Sequence, residues 1–180
     1  MKKSHDQVGA SLKTLGWSVF FEDQIEDEEM GAMPLRVAAV HRARLTGFGP
    51  DGSVKPKLAS GVKTADFAVG DWVLVDPETN EVIRPLGRHS LLKRQTEGAR
   101  SPQWIAANVD TLFIVTSCND DFNIARLERY LAMANEAGTT PVLVLTKTDL
   151  IEDTTEFIVK ARALQSNIEV VTVNAKSARA

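Results

Sequence analysis

The chain has 180 residues, of which 43% are apolar and 25% are charged, and this composition excludes a disordered protein. It is long enough for one large domain or two small ones. No apolar run is long enough to cross a bilayer, and polar residues follow Met1 where a signal peptide would need an apolar segment. A cytoplasmic protein is therefore expected.

Cysteine and histidine usage excludes two further classes of site. A single cysteine, Cys118, cannot form an internal disulfide, and its place at the end of an apolar run predicts a small buried residue. The three histidines are scattered without metal-ligand spacing, so we predict no metal site in this chain.

The formal net charge of −3 hides an asymmetry along the chain. Residues 31–104 carry eleven Lys and Arg against seven Asp and Glu, a difference of +4. The flanking segments are both acidic, at −4 for residues 1–30 and −3 for residues 105–180. A basic middle of this kind favours a module that faces a polyanion.

Residues 1–34 are predicted to form an N-terminal helix and an acidic loop. The helix would span residues 6–15, with Asp6 as its cap and Gly16 as its end. The aromatic residues that follow (Trp17, Phe20, Phe21) would dock on a neighbouring domain. The acidic run 22–29 is predicted to be a solvated, mobile loop.

Residues 35–86 have the texture of a small β domain. Strands are predicted at 35–45, 54–60, 72–75 and 81–83, separated by turn residues. Several short strands in so short a stretch favour a closed barrel of the OB type. The glycines of 47–53 imitate a phosphate loop, but a strand follows them instead of a helix, so we interpret them as a hairpin turn.

Such a barrel commonly binds nucleic acid through basic residues. Each cation taken singly is more simply explained as a solvated surface charge, but phosphate binding scales with the number of cations assembled. The candidate RNA-binding residues are Arg36, Arg42, Arg44, Lys55, Lys57, Lys63, Arg88, Lys93 and Arg94, with His41, Arg84 and Arg100 as further candidates.

Residues 87–104 are predicted to be a polar, basic linker, and residues 105–180 a second domain. Strands at 109–115, 142–145 and 168–173 would alternate with two helices. Asn123 would cap the first helix and Gly138 would end it, and 153–156 resembles a capping box for the second. This β-α-β-α-β order predicts parallel strands.

The strand at 142–145 ends in Thr146-Lys147-Thr148-Asp149. Ligands bind at the carboxyl ends of parallel strands, so these polar residues are candidate contacts. A carboxylate at Asp149 could accept both N1–H and the exocyclic amine of guanine, whereas adenine would oppose it with a lone pair. Lys147 would lie along the base, and Thr146 would tie the loop to its neighbours. The simpler alternative is an ordinary strand-to-helix loop with solvated charges.

In guanine-nucleotide-binding GTPases, an [N/T]-K-x-D loop is followed one helix and one strand later by an S-A-K-like loop, whose backbone N–H supports guanine O6. Here Asn174-Ala175-Lys176 stands at that spacing, with Asn in place of Ser. Together with I-A-A-N-V-D (105–110), R-L-E-R-Y-L (126–131), P-V-L-V-L-T-K-T-D-L (141–150) and G-D-W-V (70–73), the chain resembles the bacterial ribosome small subunit-dependent GTPase A family, whose members are circularly permuted GTPases.

This resemblance implies a β plus α/β protein: an N-terminal OB-type β-barrel followed by a partial, truncated P-loop GTPase-type parallel sheet. It also implies a role in late maturation of the small ribosomal subunit (30S), with 16S rRNA and GTP or GDP as partners. Nucleotide-binding residues would be Thr146, Lys147, Asp149, Asn174, Ala175 and Lys176. Mg²⁺ and Zn²⁺ are expected only in a full-length parent.

Neither a G-x-x-x-x-G-K-[S/T] motif nor a D-x-x-G switch follows the second base-reading loop in this chain. Phosphoryl transfer requires the donors that a phosphate loop supplies. We therefore expect the 180-residue chain to be a portion of a longer GTP hydrolase, inactive by itself, with no catalytic residue, weak nucleotide binding and an uncovered sheet face. Two alternatives stay open: a non-enzymatic OB-fold RNA-binding module with a scaffold half-domain, and an unrelated nucleotide-binding domain with a chance T-K-x-D.

Overall fold

The computed structural model describes residues 12–95, 98 and 102–176, so the predicted helix at 6–15 lies mostly outside the described residues, as does Arg100. The chain divides after Asn108 into two compact units. Within the described ranges, no helix has the length and apolar character needed to cross a membrane.

The first unit is built on an antiparallel sheet with the strand order β3-β2-β1-β4-β5. Its strands are β1 (Met33–Val40), β2 (Leu45–Gly49), β3 (Gly52–Val54), β4 (Trp72–Val75) and β5 (Val82–Pro85). Leu35, Val37 and Leu45 pack with Val73 and Val75 in one buried cluster. The alternation of β1 thus points Leu35 and Val37 into the core.

Strand pairing does not close this sheet into a barrel among the described residues. The residues beyond β3 reach the start of β5 through one isolated bridge, between Lys57 and Glu81. The predicted strand at 54–60 is wrong for most of its length, because β3 ends at Val54. Pro56 has no N–H with which to continue the ladder.

The predicted strand at 35–45 is also wrong in one respect, because residues 41–44 form a connection between β1 and β2. The glycine-rich stretch at 47–53 is a hairpin, as predicted: Gly49 pairs with Gly52 and joins β2 to β3. Gly47 lies against β1 so closely that a Cβ there would stand 2.6 Å from the Arg36 carbonyl oxygen.

An aromatic cluster attaches the N-terminal segment to the sheet. Trp17 and Phe21, which lie before and within helix α1 (Val19–Glu22), pack on Trp72 of β4 with ring centroids 4.8 and 5.8 Å away. The rings of Trp17 and Phe21 themselves are stacked at 5.5 Å. Burial of these rings gives the segment a fixed position on β4.

The acidic run that we predicted to be a mobile loop is instead bound to the sheet. Residues Asp27–Glu29 form a 3₁₀ turn, and the Glu29 carboxylate accepts hydrogen bonds from Arg84 of β5 at 2.6 and 2.7 Å. The hydrogen bond from Arg84, followed by the one from the Glu26 backbone, lowers the pKa of Glu29. The sequence pattern showed only the charge of the run and not its partner.

Residues 87–104, expected to be a linker, contain strand β6 (Leu91–Arg94) and the beginning of β7 (Gln103–Ala107), which pair antiparallel. A buried ion pair anchors the approach to β6. Asp71 is fully buried and accepts two hydrogen bonds of 2.6 Å from the Arg88 guanidinium. The Asp71 carboxylate also accepts a hydrogen bond of 2.8 Å from the backbone N–H of Ala68.

The second unit is a parallel three-stranded sheet of order β10-β9-β8 with two helices. Its elements are β8 (Thr111–Ser117), α2 (Ile124–Glu136), β9 (Thr140–Thr146), α3 (Thr155–Arg162) and β10 (Glu169–Thr172). Ile114 and Leu143 pack against Leu127 and Leu131 of α2 and Ala161 of α3 in one cluster. Both helices therefore cover the same face of the sheet.

The opposite face carries exposed apolar side chains, as predicted. Phe113 and Val115 of β8 are 64% and 61% exposed. Strands of parallel sheets are ordinarily buried on both faces, so this face is unusual for its class.

The helix ends confirm one predicted cap and overturn another. The Asn123 side chain accepts a 2.9 Å hydrogen bond from the backbone N–H of Arg126, and Gly138 has a positive φ of 71° just after α2. The predicted capping box at 153–156, in which the Asp153 side chain would accept from the Glu156 N–H, is wrong, because α3 begins at Thr155 and its cap position is occupied by Thr154, whose side chain makes no capping hydrogen bond. Asp153 accepts from the Thr155 N–H at 2.8 Å instead.

We predict that Asp71→Ala lowers the free energy of unfolding of the first unit by about 3 kcal/mol, because it leaves the largely buried Arg88 guanidinium without its carboxylate. Urea denaturation followed by tryptophan fluorescence measures this, since all three tryptophans lie in that unit. Glu78→Ala, which removes an exposed carboxylate, is the control and leaves stability unchanged. Equal stability of the two variants would contradict the prediction.

Candidate functional site

The parallel pairing of the second unit places three strand ends at one edge of the sheet. Ser117, the last residue of β8, pairs with Thr146, the last residue of β9. The Val173 N–H donates to the Leu145 carbonyl at 2.8 Å, so the pairing with β9 continues past the end of β10. The loops that begin at 118, 147 and 174 therefore leave the sheet close together.

The loop after β9 has a fixed beginning. Thr146 donates from its hydroxyl to the Thr116 carbonyl at 2.9 Å, and its own carbonyl accepts from the buried Cys118 N–H at 2.9 Å. Lys147 then takes a left-handed conformation with φ 57°, which is uncommon outside glycine, and a 3₁₀ turn spans Thr148–Leu150. This sharp change of direction turns the chain just past the strand end.

Asp149 and Lys176, two of the predicted site residues, lie against each other. The Lys176 Nζ is 3.4 Å from Asp149 Oδ2, and the Asp149 side chain is 24% exposed. The second loop is held by Asn174, whose side chain accepts from the Lys176 N–H at 3.0 Å. The two loops that the sequence pattern singled out thus meet at one point.

The loop after β8 supplies site residues that the sequence analysis missed. Asp121 Oδ2 lies 3.4 Å from the Lys147 Nζ, and Asn119 receives hydrogen bonds from the Ser117 hydroxyl at 2.7 Å and from the Asp121 N–H at 3.1 Å. The hydrogen bond from Lys147, followed by the one from Asn119, lowers the pKa of Asp121. The polar run 119–121 directly after an apolar strand was the signal available in the sequence.

A cavity of about 400 Å³ opens at this edge of the sheet. Its walls come from the ends of β8 and β9 and from the first turns of α2, and Lys147 lies at its rim. The lining residues are Val115, Thr116, Ser117, Asp121, Arg126, Tyr130, Thr146 and Lys147. Of the predicted nucleotide-binding residues, Thr146 and Lys147 therefore line this cavity, whereas Asp149 and residues 174–176 are not among its lining residues.

The predicted RNA-binding residues of the first unit fall into two groups. Arg36 donates to the Leu15 carbonyl and to the Asn108 carbonyl at 3.1 Å, and Arg88 is paired with Asp71, so both guanidinium groups serve internal contacts. The others are exposed: Arg42, Arg44, Lys55, Lys57, Lys63, Lys93 and Arg94. Of the further candidates, His41 is exposed and Arg84 is bound to Glu29.

Among the described residues, no group of three or more His, Cys, Asp or Glu is arranged to hold a metal ion.

Two buried positions outside the candidate site have structural explanations. Cys118 is buried as predicted, and burial raises the pKa of its thiol. Asn108 of the I-A-A-N-V-D stretch is also buried, and its side chain bonds the Gly70 carbonyl at 3.0 Å and the His89 N–H at 3.1 Å.

Comparison with known proteins identifies relatives of this chain. Residues 86–180 match the RsgA GTPase family. The small ribosomal subunit biogenesis GTPase RsgA of Mesorhizobium japonicum is 57% identical over 91% of this chain and 47% of its own length. RsgA 2 of Vibrio parahaemolyticus is 40% identical over 91% of this chain and 45% of its own length. The chain thus spans less than half the length of these relatives.

Two solved structures share the fold. YjeQ from Thermotoga maritima superposes with a TM-score of 0.60 at 21% identity, and the match covers 81% of this chain and 52% of the YjeQ chain. YloQ, a circularly permuted GTPase, superposes with a TM-score of 0.57 at 20% identity, and the match covers 84% of this chain and 54% of the YloQ chain. With a family match over more than half of its residues, the chain belongs to the RsgA GTPase family.

Proposed function

We propose that this chain is the guanine-reading and RNA-binding portion of a GTPase that acts in late maturation of the small ribosomal subunit in the cytoplasm. The observation that carries the proposal is the convergence of Asp149 and the loop at 174–176 at the carboxyl edge of a parallel sheet. The relatives at 57% and 40% identity are named for biogenesis of that subunit.

In this proposal Asp149 sets the base specificity. Its carboxylate accepts from guanine N1–H and from the exocyclic amine, while the Ala175 N–H donates to O6. The Lys176 ammonium, which lies 3.4 Å from the carboxylate, gives up that contact when the base arrives. Adenine offers a lone pair at N1 and would leave the carboxylate unpaired, which costs affinity.

Lys147 contributes its aliphatic stem, which lies along the base, while Asp121 holds its ammonium group. The Lys147 Nζ lies 3.4 Å from Asp121 Oδ2 in the loop after β8. Phosphate binding, Mg²⁺ and hydrolysis belong to a phosphate loop and switches, which this sequence does not contain. We therefore assign no catalytic residue to the chain and expect it to be inactive in GTP hydrolysis by itself.

The first unit is proposed to bind 16S rRNA as an OB-type barrel over residues 35–86. The bridge between Lys57 and Glu81 supports this, because it brings the two outer parts of the sheet together. The exposed cations of the unit supply the charge that phosphate binding requires. Residues 1–34 would brace the barrel, and the nucleotide half would occupy 105–180.

We predict that Asp149→Asn binds xanthosine diphosphate in preference to GDP, because the asparagine amide can donate to the additional oxygen of xanthine. Nitrogen–proton NMR of the 180-residue chain, with each nucleotide added to millimolar concentration, reports on the Ala175 and Lys176 amides and detects weak binding. Glu152→Gln, an exposed neighbour, keeps the GDP preference. Equal responses of the wild-type chain to GDP and ADP would refute the role of Asp149 in guanine recognition. The alternative that the chain is an RNA-binding module would then remain.

Lys147→Met is predicted to raise the pKa of Asp121 toward its ordinary value, because the hydrogen bond from Lys147 is the largest cause of its depression. A depressed carboxyl pKa means that the contact is fully present above the ordinary pKa and is lost as the pH falls through the depressed one. A carbon-detected NMR titration of the Asp121 carboxyl measures this. Lys160→Met, which removes a cation paired with Glu156, is the control, and an Asp121 titration identical in both variants would contradict the contact.

Arg44→Ala is predicted to weaken binding to purified small ribosomal subunits and to flatten the plot of log affinity against log salt by roughly 0.7–0.9, as expected when one phosphate contact is lost. Fluorescence anisotropy of the labelled chain between low and physiological salt provides the slope. Lys160→Ala lies in the second unit and should leave the slope unchanged. A slope that stays constant in Arg44→Ala would remove this residue from the interface.

A further inference from the structure

The first unit contains a cavity of about 500 Å³ that the proposed functions leave unexplained. This volume lies within the roughly 300–1,000 Å³ of typical ligand pockets. The lining includes Trp104 and the largely buried Phe67, and Val69 and Ile105, also in the lining, are 41% and 42% exposed. Thr64 adds a hydroxyl to the lining. The cavity is therefore lined by polar and apolar groups in similar measure, with Trp104 among them, and it is open to solvent at its edge.

Trp104 is held in place by a chain of charged contacts. The Arg88 guanidinium carbon lies 4.1 Å from the centroid of the indole ring, a stacked cation–π arrangement. Arg88 is in turn fixed by its two 2.6 Å hydrogen bonds to the buried Asp71 carboxylate. The Arg88 guanidinium also donates to the Asp66 carbonyl at 3.1 Å. The indole is thus preorganised, and its orientation does not have to be set by a ligand.

Cations adjoin several of the residues that line this cavity. Strand pairing places Lys93 directly opposite Trp104 and Arg94 opposite Gln103, which also lines the cavity. Lys63 precedes Thr64 in the chain, and the Thr64 hydroxyl donates to the Arg42 carbonyl at 3.1 Å. These cations are exposed. The acidic side chain on the same stretch, Asp66, is outnumbered by them.

A preorganised indole beside exposed cations fits a flat aromatic group that carries phosphates. Base–aromatic stacking tolerates any base, and surrounding Lys and Arg track the backbone. An acidic peptide would satisfy the cations but would not need the aromatic wall. We propose that the Trp104 cavity binds one unpaired base of single-stranded RNA, with the flanking phosphates on Lys63, Lys93 and Arg94. This inference rests on the proposed RNA-binding function and specifies its ligand.

The test uses the 180-residue chain and fluorescein-labelled decauridine, with anisotropy as the affinity readout. Trp104→Ala should weaken binding about 5- to 100-fold, the range expected for one lost base stack, without changing the salt dependence. Trp104→Phe should recover part of the loss. Phe20→Ala removes an exposed aromatic side chain outside the cavity and should have no effect. Thermal unfolding of each variant confirms that the fold is kept.

Two further measurements make the outcome specific to the cavity. Decauridine should quench the tryptophan fluorescence of the wild-type chain but not that of Trp104→Phe, because Trp17 and Trp72 are buried. An abasic oligomer of the same length should bind as weakly to the wild-type chain as decauridine binds to Trp104→Ala. Equal affinity for decauridine and the abasic oligomer, or an unaffected Trp104→Ala variant, overturns the base site while small-subunit binding stands. If the wild-type chain binds neither decauridine nor small ribosomal subunits, both the base site and the proposed RNA-binding function are overturned.

Discussion

Parallel pairing of β9 with both of its neighbours is the constraint on which the candidate nucleotide site depends. Because all three strands run in one direction, their carboxyl ends share an edge, and the loops that follow them are neighbours in space although they are distant in sequence. The contact between Asp149 and Lys176, like that between Lys147 and Asp121, exists only because of this arrangement. Neither pair is explained by sequence proximity.

In the first unit, fixed internal ion pairs determine which basic residues are available to a partner. Arg88 is committed to Asp71 and Arg84 to Glu29, and Arg36 bonds backbone carbonyls. Removing a charge from water is costly unless it is paired, so guanidinium groups that are partly buried are satisfied inside the protein. Exposed lysines and arginines elsewhere on the unit carry the remaining positive potential. Arg88 then has a positioning role, because it orients Trp104.

The two units pack their apolar side chains in different ways. In the first, Trp17 and Phe21 close over Trp72. In the second, α2 and α3 lie on one face of the sheet and leave Phe113 and Val115 exposed on the other.

The sequence by itself determined the β character of the first half and the α/β character of the second, the strand that ends at Thr146, the Asn123 cap and the positions of the loops at 146–149 and 174–176, because periodicity, turn chemistry and capping act over a few residues. It also carried the family resemblance. Only the tertiary structure decided the partners: Glu29 with Arg84, Asp71 with Arg88, and Asp121 with Lys147. It likewise showed that β6 and the beginning of β7 occupy the expected linker, and that the Asp153 carboxylate bonds the Thr155 N–H and not that of Glu156. These contacts depend on which surfaces the fold brings together, and local sequence patterns contain no information about that.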